Sequence, residues 1–175
     1  MFRSVGMILA PLLLLSTPNM PESEPTDVPE GFDLIRRGGP YFRALGAVYR
    51  RVRDDGGWVV ALRLDEAHLN MQGFAHGGML ATLADGALGI NIALARGTRE
   101  AQVTVTLNMD YLAAARRGDW LEAHVVVTRM GRTMAFANCD LRVGARHVLR
   151  ANAVFAFVDR PPLPIQPDDG PVADG

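Results

Sequence analysis

The chain has 175 residues, enough for one domain with extra residues at each end, and 49% of them are apolar, enough for a core. The formal net charge of −1 argues against nucleic-acid binding through a broad basic field. All 18 basic residues are arginine, which excludes lysine-based covalent chemistry. The only serines are Ser4, Ser16 and Ser23, which excludes a serine triad in the folded body.

Thiol and imidazole groups also limit the chemistry of the chain. Cys139 is the only cysteine, so no disulfide can form within the chain, and a reducing, cytoplasmic compartment is expected. The four histidines are too scattered along the sequence for a zinc site by spacing. We therefore expect neither a metal nor any other cofactor, and Cys139 itself should be a small core residue.

Residues 1–30 are predicted to be an N-terminal apolar segment followed by a flexible polar lead-in. The apolar run within residues 1–19 follows a single arginine and is interrupted by Pro11, so it is short for a membrane span. Three interpretations stay open: a signal peptide, a membrane anchor, or a start-site artefact with translation beginning at Met20. Residues 159–175 show no periodicity and are predicted to be a disordered tail.

The folded body is predicted to span residues 31–158 and to begin with short elements. Helical stretches are predicted over 31–46, broken by a Gly-Gly-Pro triplet, and an alternating strand is predicted over 58–64. One long helix is predicted over 79–95, ended by Gly97. Because this helix is apolar nearly all round, we expect it to be buried.

Four strands are predicted after the helix, over 102–112, 120–129, 133–143 and 147–158. They are separated by ARRGD, MGR and GAR, which resemble hairpin connectors. A buried helix followed by sequential hairpins favours a curled antiparallel meander wrapped around that helix. The predicted fold class is therefore α+β.

The most informative motif is Asn-x5-His-Gly-Gly-x7-Asp, which runs from Asn70 to Asp85 across the helix entrance. The N–H groups of Gly77 and Gly78 lack intrahelical partners and lie at the positive end of the helix dipole, where they suit an oxyanion or a ligand. Asp85 is interpreted as a general base that activates water, or as a nucleophile. The alternatives are glycines that serve close packing, and an aspartate that caps a backbone or pairs with an arginine.

The spacing within this motif predicts a site built from two chains. Gly77 and Asp85 are eight residues apart, roughly 12 Å along a helix at about 1.5 Å per residue. An oxyanion donor and a base must each lie about 3 Å from the atoms they serve. One helix cannot easily bring both to one carbonyl, whereas two antiparallel copies related by a two-fold axis can.

Three further polar residues are candidates, each with a structural alternative. Asn70 can orient a water or a carbonyl, and His76 can fix the loop or donate to a ligand, but ordinary turn chemistry also explains them. Thr104 can hold an attacking water, although a β-branched residue is common in any strand. Strict alternation places Thr104 on a polar face of its strand, opposite a face made of Val103, Val105, Leu107, Met109 and Tyr111.

Together these residues resemble the hotdog-fold acyl-CoA thioesterases of the phenylacetic-acid-degradation (PaaI) type. The resemblance extends from about Gly31 to Val158, and its motifs are Asn70, His76-Gly77-Gly78, Leu83-Ala84-Asp85, Thr104 and Gly131-Arg132. It implies a hotdog fold, in which a curved antiparallel sheet wraps a long central helix. It also implies a homodimer, often paired into a homotetramer.

The resemblance also implies roles for individual residues. The Gly77 N–H would polarise the thioester carbonyl, while Asn70 and His76 shape the same pocket. Asp85 of the partner chain would be the base or nucleophile, and Thr104 would help to place the water. The substrate-binding residues implied are Gly78, Arg129 and Arg132, the two arginines lying where relatives often meet the phosphates of coenzyme A.

The function expected from the sequence is hydrolysis of acyl-CoA thioesters to free acid and coenzyme A. One alternative is a hotdog module that binds acyl-CoA without catalysis, and another is an enoyl-CoA hydratase on the same fold. The hydratase is disfavoured because no Asp-x4-His stands at the helix entrance. The sequence leaves open the acyl-chain preference, dimer against tetramer, and base against nucleophile for Asp85.

Overall fold

The computed structural model describes residues 27–36, 38–98 and 100–159. The predicted N-terminal apolar segment and the predicted tail beyond residue 159 lie outside the described residues. The elements in chain order are β1 (Asp33–Leu34), α1 (Pro40–Arg43), β2 (Val48–Val52), β3 (Trp58–Arg63), a 3₁₀ turn (Glu66–His68), α2 (Gly77–Arg96), β4 (Ala101–Tyr111), β5 (Trp120–Met130), β6 (Met134–Val143) and β7 (Arg146–Val158).

The long helix α2 is present, three residues longer than predicted. The side chain of His76 caps its first turn, and Gly97 ends it with a left-handed φ of 66°. One face is buried against the sheet, through Leu80, Leu83, Ala84, Ala87, Leu88, Asn91 and Ile92. The prediction of burial is correct for that face only, because the opposite apolar face lines a groove described below.

The sheet is antiparallel throughout, with the strand order β1-β2-β3-β5-β6-β7-β4. It curves around α2, which packs against β3, β4, β5, β6 and β7. The structure therefore confirms the α+β class and the hotdog architecture.

The predicted hairpin between β4 and β5 is wrong, because β4 pairs with β7 at the far edge of the sheet. Residues 112–119 form a longer connection, which is pinned where the Ala75 N–H donates to the Ala115 carbonyl over 2.8 Å. The other two predicted hairpins, β5–β6 and β6–β7, are present. The difference places β4 on an open edge rather than inside a meander.

Strands β1 and β2 were not predicted, and arginine explains why β2 was missed. Its charged residues Arg50 and Arg51 interrupt the apolar alternation on which the strand prediction relied. In the structure their guanidinium groups lie over the rings of Trp58, at 4.2 Å, and Phe32, at 4.6 Å. The charged groups of both arginines thus lie against aromatic rings, an arrangement stabilised by the attraction of a cation for a ring face.

Candidate active site

The first two N–H groups of α2 differ in their availability to a ligand. The Gly78 N–H, predicted to be available to a ligand, already donates to His76 Nδ1 over 2.9 Å. An acceptor Nδ1 places the proton of the neutral His76 ring on Nε2. The Gly77 N–H has no hydrogen-bond partner among the described residues and lies at the positive end of the helix dipole. Of the two glycines, Gly77 therefore presents the available donor.

Asn70 organises the loop that leads into the helix. Its Oδ1 accepts from the N–H groups of Gln72, at 3.0 Å, and Phe74, at 3.2 Å. This is the turn chemistry expected of an asparagine in a tight loop. Its side-chain amide nitrogen has no partner in the part of the chain that the structure describes, so a donor remains for another group.

Tyr111, which the sequence analysis did not select, contacts the same entrance. Its hydroxyl donates to the carbonyl of Gly77 over 3.1 Å. A Cβ added to Gly77 would lie 3.3 Å from Tyr111 Cε1, so the ring leaves little room for a side chain at this position. Alternation counted from the inward-facing Leu107 would have placed Tyr111 on this side of the strand.

Asp85 and Thr104 come together eight residues further along the helix. Thr104 Oγ1 donates to Asp85 Oδ1 over 2.8 Å. Asp85 is half-buried on α2, and Thr104 lies on the exposed edge strand β4. The contact leaves the other carboxylate oxygen of Asp85 without a hydrogen-bond partner among the described residues.

A β-bulge creates this contact and corrects the predicted face of Thr104. Strict alternation assigned Thr104 to the face opposite Leu107, Met109 and Tyr111. The register of β4 against β7 shifts between Thr104 and Thr106, which turns Thr104 towards α2 together with those residues. Gln102 shares the inward face, and its side-chain amide donates to the carbonyl of Gly89 on α2.

The candidate residues thus form two groups on one chain. The donor group lies at the start of α2 and contains Asn70, His76 and Gly77, whereas the acceptor group contains Asp85 and Thr104. The separation of Gly77 from Asp85 along α2 is roughly 12 Å, from about 1.5 Å per residue. The structure of one chain therefore does not bring the two groups to one atom, as the spacing predicted.

A groove of about 780 Å³ opens beside Asp85 and Thr104, a volume within the range of ligand sites. It lies between α2, the start of β4 and the segment around α1, and its apolar lining includes Ile35, Phe42, Trp58, Ile90, Leu94 and Phe155. Neither Asn70 nor Gly77 lines it. The groove therefore lies beside the acceptor group, Asp85 and Thr104, and away from the donor group of the same chain.

The two predicted phosphate contacts, Arg129 and Arg132, lie near the turn between β5 and β6. Both residues are exposed, and neither side chain has an ion-pair partner among the described residues. Arg96, in the last turn of α2, holds this turn by donating to the carbonyls of Gly131, at 2.8 Å, and Arg132, at 3.2 Å. The arginines therefore belong to the C-terminal end of α2, distant from Gly77 of the same chain.

Burial explains the shifted pKa values of two further titratable groups, Cys139 and His124. Burial raises the pKa of Cys139 to about 12, which keeps the thiol protonated and confirms it as a core residue. Burial also lowers the pKa of His124, outweighing the attraction of Glu122 at 2.9 Å. Among the described residues, no three His, Cys, Asp or Glu side chains cluster as metal ligands.

Comparison with known proteins is consistent with this architecture. The family model described as the thioesterase superfamily matches residues 72–149. A Pseudomonas aeruginosa protein named "Putative esterase PA0474" is 46% identical over 129 residues, which cover 74% of this chain and 96% of that protein. Human acyl-coenzyme A thioesterase 13 is 32% identical over 100 residues, 57% of this chain and 70% of that protein.

A solved structure extends the similarity to three dimensions. A variant of the phenylacetic acid degradation protein PaaI from Thermus thermophilus superposes with a TM-score of 0.59 at 29% identity. The match covers 69% of this chain and 100% of that protein. These similarities and the curved sheet around α2 show that the chain belongs to the hotdog-fold thioesterase superfamily.

Proposed function

We propose that the protein hydrolyses acyl-CoA thioesters to a carboxylic acid and free coenzyme A. The observation that carries the proposal is the Asp85–Thr104 pair at 2.8 Å in the wall of an apolar groove. A half-buried carboxylate beside an apolar cavity is suited to proton transfer, and the groove is suited to an acyl group. The name of human acyl-coenzyme A thioesterase 13 supports the coenzyme A ester as the substrate.

In the proposed reaction, Asp85 accepts a proton from water while the water oxygen bonds to the thioester carbon. The carbonyl oxygen becomes an oxyanion, to which the Gly77 N–H donates. The tetrahedral intermediate then breaks its carbon–sulfur bond, and the proton held by Asp85 passes to the departing thiolate. Thr104 fixes the carboxylate through one oxygen, which leaves the other free for the water. A nucleophilic Asp85, with an acyl-enzyme anhydride, is the alternative route.

We propose that each site takes Gly77 from one chain and Asp85 from its partner. The edge strand β4 supports this arrangement, since its 11 residues have no strand partner on one side among the described residues. Val103 and Val105 are 48% and 55% exposed on this strand, an unusual state for an apolar edge unless it is covered. Antiparallel pairing of two β4 edges would bring two copies of α2 side by side with opposite directions.

Arg129 and Arg132 are proposed to bind the phosphates of coenzyme A. In an antiparallel pair of α2 helices, the C-terminal end of one helix lies beside the N-terminal end of the other. The guanidinium groups of these two arginines, which have no ion-pair partner within the described ranges, would then lie near the helix entrance of the partner chain. Arginine suits this role because its planar fork binds phosphate oxygens in pairs.

The first test is thiol release from acyl-CoA esters by the wild-type chain, the Asp85→Asn variant and the control Asp54→Asn. Asp54 is exposed in the turn between β2 and β3 and has no ion-pair partner among the described residues, so its substitution should preserve the rate. Asp85→Asn should lower kcat about 100-fold or more, the usual scale for a general base. A folded Asp85→Asn variant with the wild-type rate would remove Asp85 from the mechanism.

We further propose that the reaction needs no bound metal and takes place in the cytoplasm. Activity should then survive exhaustive dialysis against EDTA. Loss of activity that zinc or magnesium restores would contradict the metal-free mechanism. Fractionation of cells, followed by detection of the untagged chain, tests the location.

A further inference from the structure

The groove follows one face of α2 from beside Asp85 to the end of the helix. Its lining includes Asp85, Gly86, Gly89, Ala93 and Gly97, which recur at the spacing of a single helix face. Asp85 therefore lies near the N-terminal end of the groove. A carbonyl held at Asp85 has apolar surface on one side of it only, towards the C-terminal end of α2.

Two glycines make the floor of the groove flat. A Cβ on Gly89 would make ordinary contact at 3.4 Å with Gln102 Nε2 and at 3.6 Å with Phe155 Cε1, so a side chain could fit there. A Cβ on Gly86 would instead overlap the ring of Phe42. The ring of Phe42 thus packs against the helix backbone at the residue after Asp85. It narrows the groove next to the position of the thioester carbonyl carbon.

The length of the groove indicates what fits into it. Twelve residues separate Asp85 from Gly97, roughly 18 Å at about 1.5 Å per helical residue. An extended chain advances about 1.2 Å per bond, because three backbone bonds span about 3.3–3.6 Å. The groove therefore matches roughly 15 bonds of an extended chain. An aromatic acyl group would fill only the part of the groove next to Asp85. It would leave the apolar surface around Leu94 exposed to water.

We propose that this groove binds the acyl chain of the thioester, and that the preferred substrates carry long, unbranched aliphatic chains. The inference rests on the proposed function, because the position of the carbonyl at Asp85 sets the direction of the chain. Phe42 on Gly86 excludes branches next to the carbonyl, and the open end at Gly97 sets the chain length beyond which further methylenes stay in water.

Binding of S-alkyl-CoA thioethers with chains of 4 to 20 carbons tests the inference without hydrolysis. For the wild-type chain, the affinity should rise about two- to fourfold per methylene while the chain stays within the groove, the range given by partial to full burial of a CH₂. The rise should end near the roughly 15 bonds that the groove accommodates. Hydrolysis of the matching thioesters, with phenylacetyl-CoA and 2-methyl-branched esters, is measured in parallel.

Two variants locate the chain within the groove. Ala93→Phe places a ring roughly 12 Å beyond Asp85, so chains longer than about 10 bonds should lose at least tenfold in affinity, and hexyl chains should change less than twofold. Gly89→Ala acts roughly 6 Å from Asp85 and should weaken every chain longer than about five bonds. Ala95→Phe is the matched control, because Ala95 lies on the same turn but outside the groove.

The results separate this inference from the proposed function. Chain-length-dependent binding that Ala93→Phe truncates, without hydrolysis of any ester, supports the groove and contradicts the thioesterase proposal. Any of three results would overturn the inference. They are hydrolysis that does not depend on chain length, an equal effect of Ala93→Phe and Ala95→Phe on the affinity for long chains, and a preference for phenylacetyl-CoA over every aliphatic ester. Retained binding of the hexyl thioether shows that Ala93→Phe is folded, and Gly89→Ala supplies the test if it is not.

Discussion

Replacing Gly77 by proline removes one N–H group and little else, which makes it a direct test of the oxyanion donor. Gly77 is the first residue of α2, where proline is favoured because its missing N–H has no helical partner. The preceding residue, His76, has a ψ of 132°, within the range that a following proline requires. The helix should therefore survive the substitution.

The expected loss follows from the geometry of the entrance. The Gly78 N–H already donates to His76, so it does not replace the donor that proline removes. Loss of one oxyanion donor costs about 2.7–4 kcal/mol of transition-state stabilisation, or about 100- to 1,000-fold in kcat. The ground-state carbonyl carries little charge, so KM should change much less.

Gly77→Ala is the matched control for this substitution. Alanine keeps the N–H and introduces the same Cβ, which meets Tyr111 Cε1 at 3.3 Å, so any effect of that contact appears in both variants. Thiol-release kinetics at saturating acyl-CoA, with circular dichroism to confirm the helix, give the comparison. Equal kcat values for the proline and alanine variants would refute the role of the Gly77 N–H.

Three further predictions concern the bulge and the charged groups of the sheet. Thr104→Val removes the hydrogen bond to Asp85 and should lower kcat about tenfold. Thr106→Val should have little effect, because the bulge turns this side chain away from α2. Equal losses of kcat in the two variants would contradict the assignment of Thr104 to the inward face. The pKa of His124 is lowered from 6.5 by burial, so its contribution to stability is present above pH 6.5 and is lost as the pH falls through the folded pKa. In urea unfolding at a series of acidic pH values, the His124→Gln variant should lose less unfolding free energy than the wild type as the pH falls. If the two proteins lose it in parallel, His124 does not contribute to the pH dependence. Although burial alone would raise the pKa of Asp140, hydrogen bonds from Arg142, Arg150 and His147 hold it below 3.8. Asp140→Asn should thus cost about 1–2 kcal/mol of unfolding free energy at neutral pH, against less than about 0.5 kcal/mol for the exposed Asp54→Asn. Similar urea midpoints for the two variants would contradict the stabilising role of Asp140.

The sequence was most informative where a residue conflicted with its surroundings. Asp85 stands out because a mid-helix carboxylate among apolar residues is costly without a partner, and the structure supplies Thr104 as that partner. The glycines before it marked the helix entrance, and Gly97 marked the helix end. Local rules of capping and periodicity were enough for these features.

The rest depended on non-local pairing that the sequence does not display. Periodicity identified β4 as a strand but could not show that it pairs with β7 rather than β5. The bulge after Thr104 was also invisible, since it comes from the register between two distant strands. The role of Tyr111 was missed for the same reason, because its contact with Gly77 joins the end of β4 to the start of α2.

The central claim is that one site takes Gly77 from one chain and Asp85 from its partner. Co-expression of Asp85→Asn and Gly77→Pro chains, each inactive alone, tests it most directly. If the chains mix at random, half of the dimers contain both variants and each of these has one intact site, so roughly a quarter of the wild-type kcat should return. Mixed dimers, verified by two different affinity tags, that stay as inactive as either variant would contradict the shared site and place both groups within a single chain.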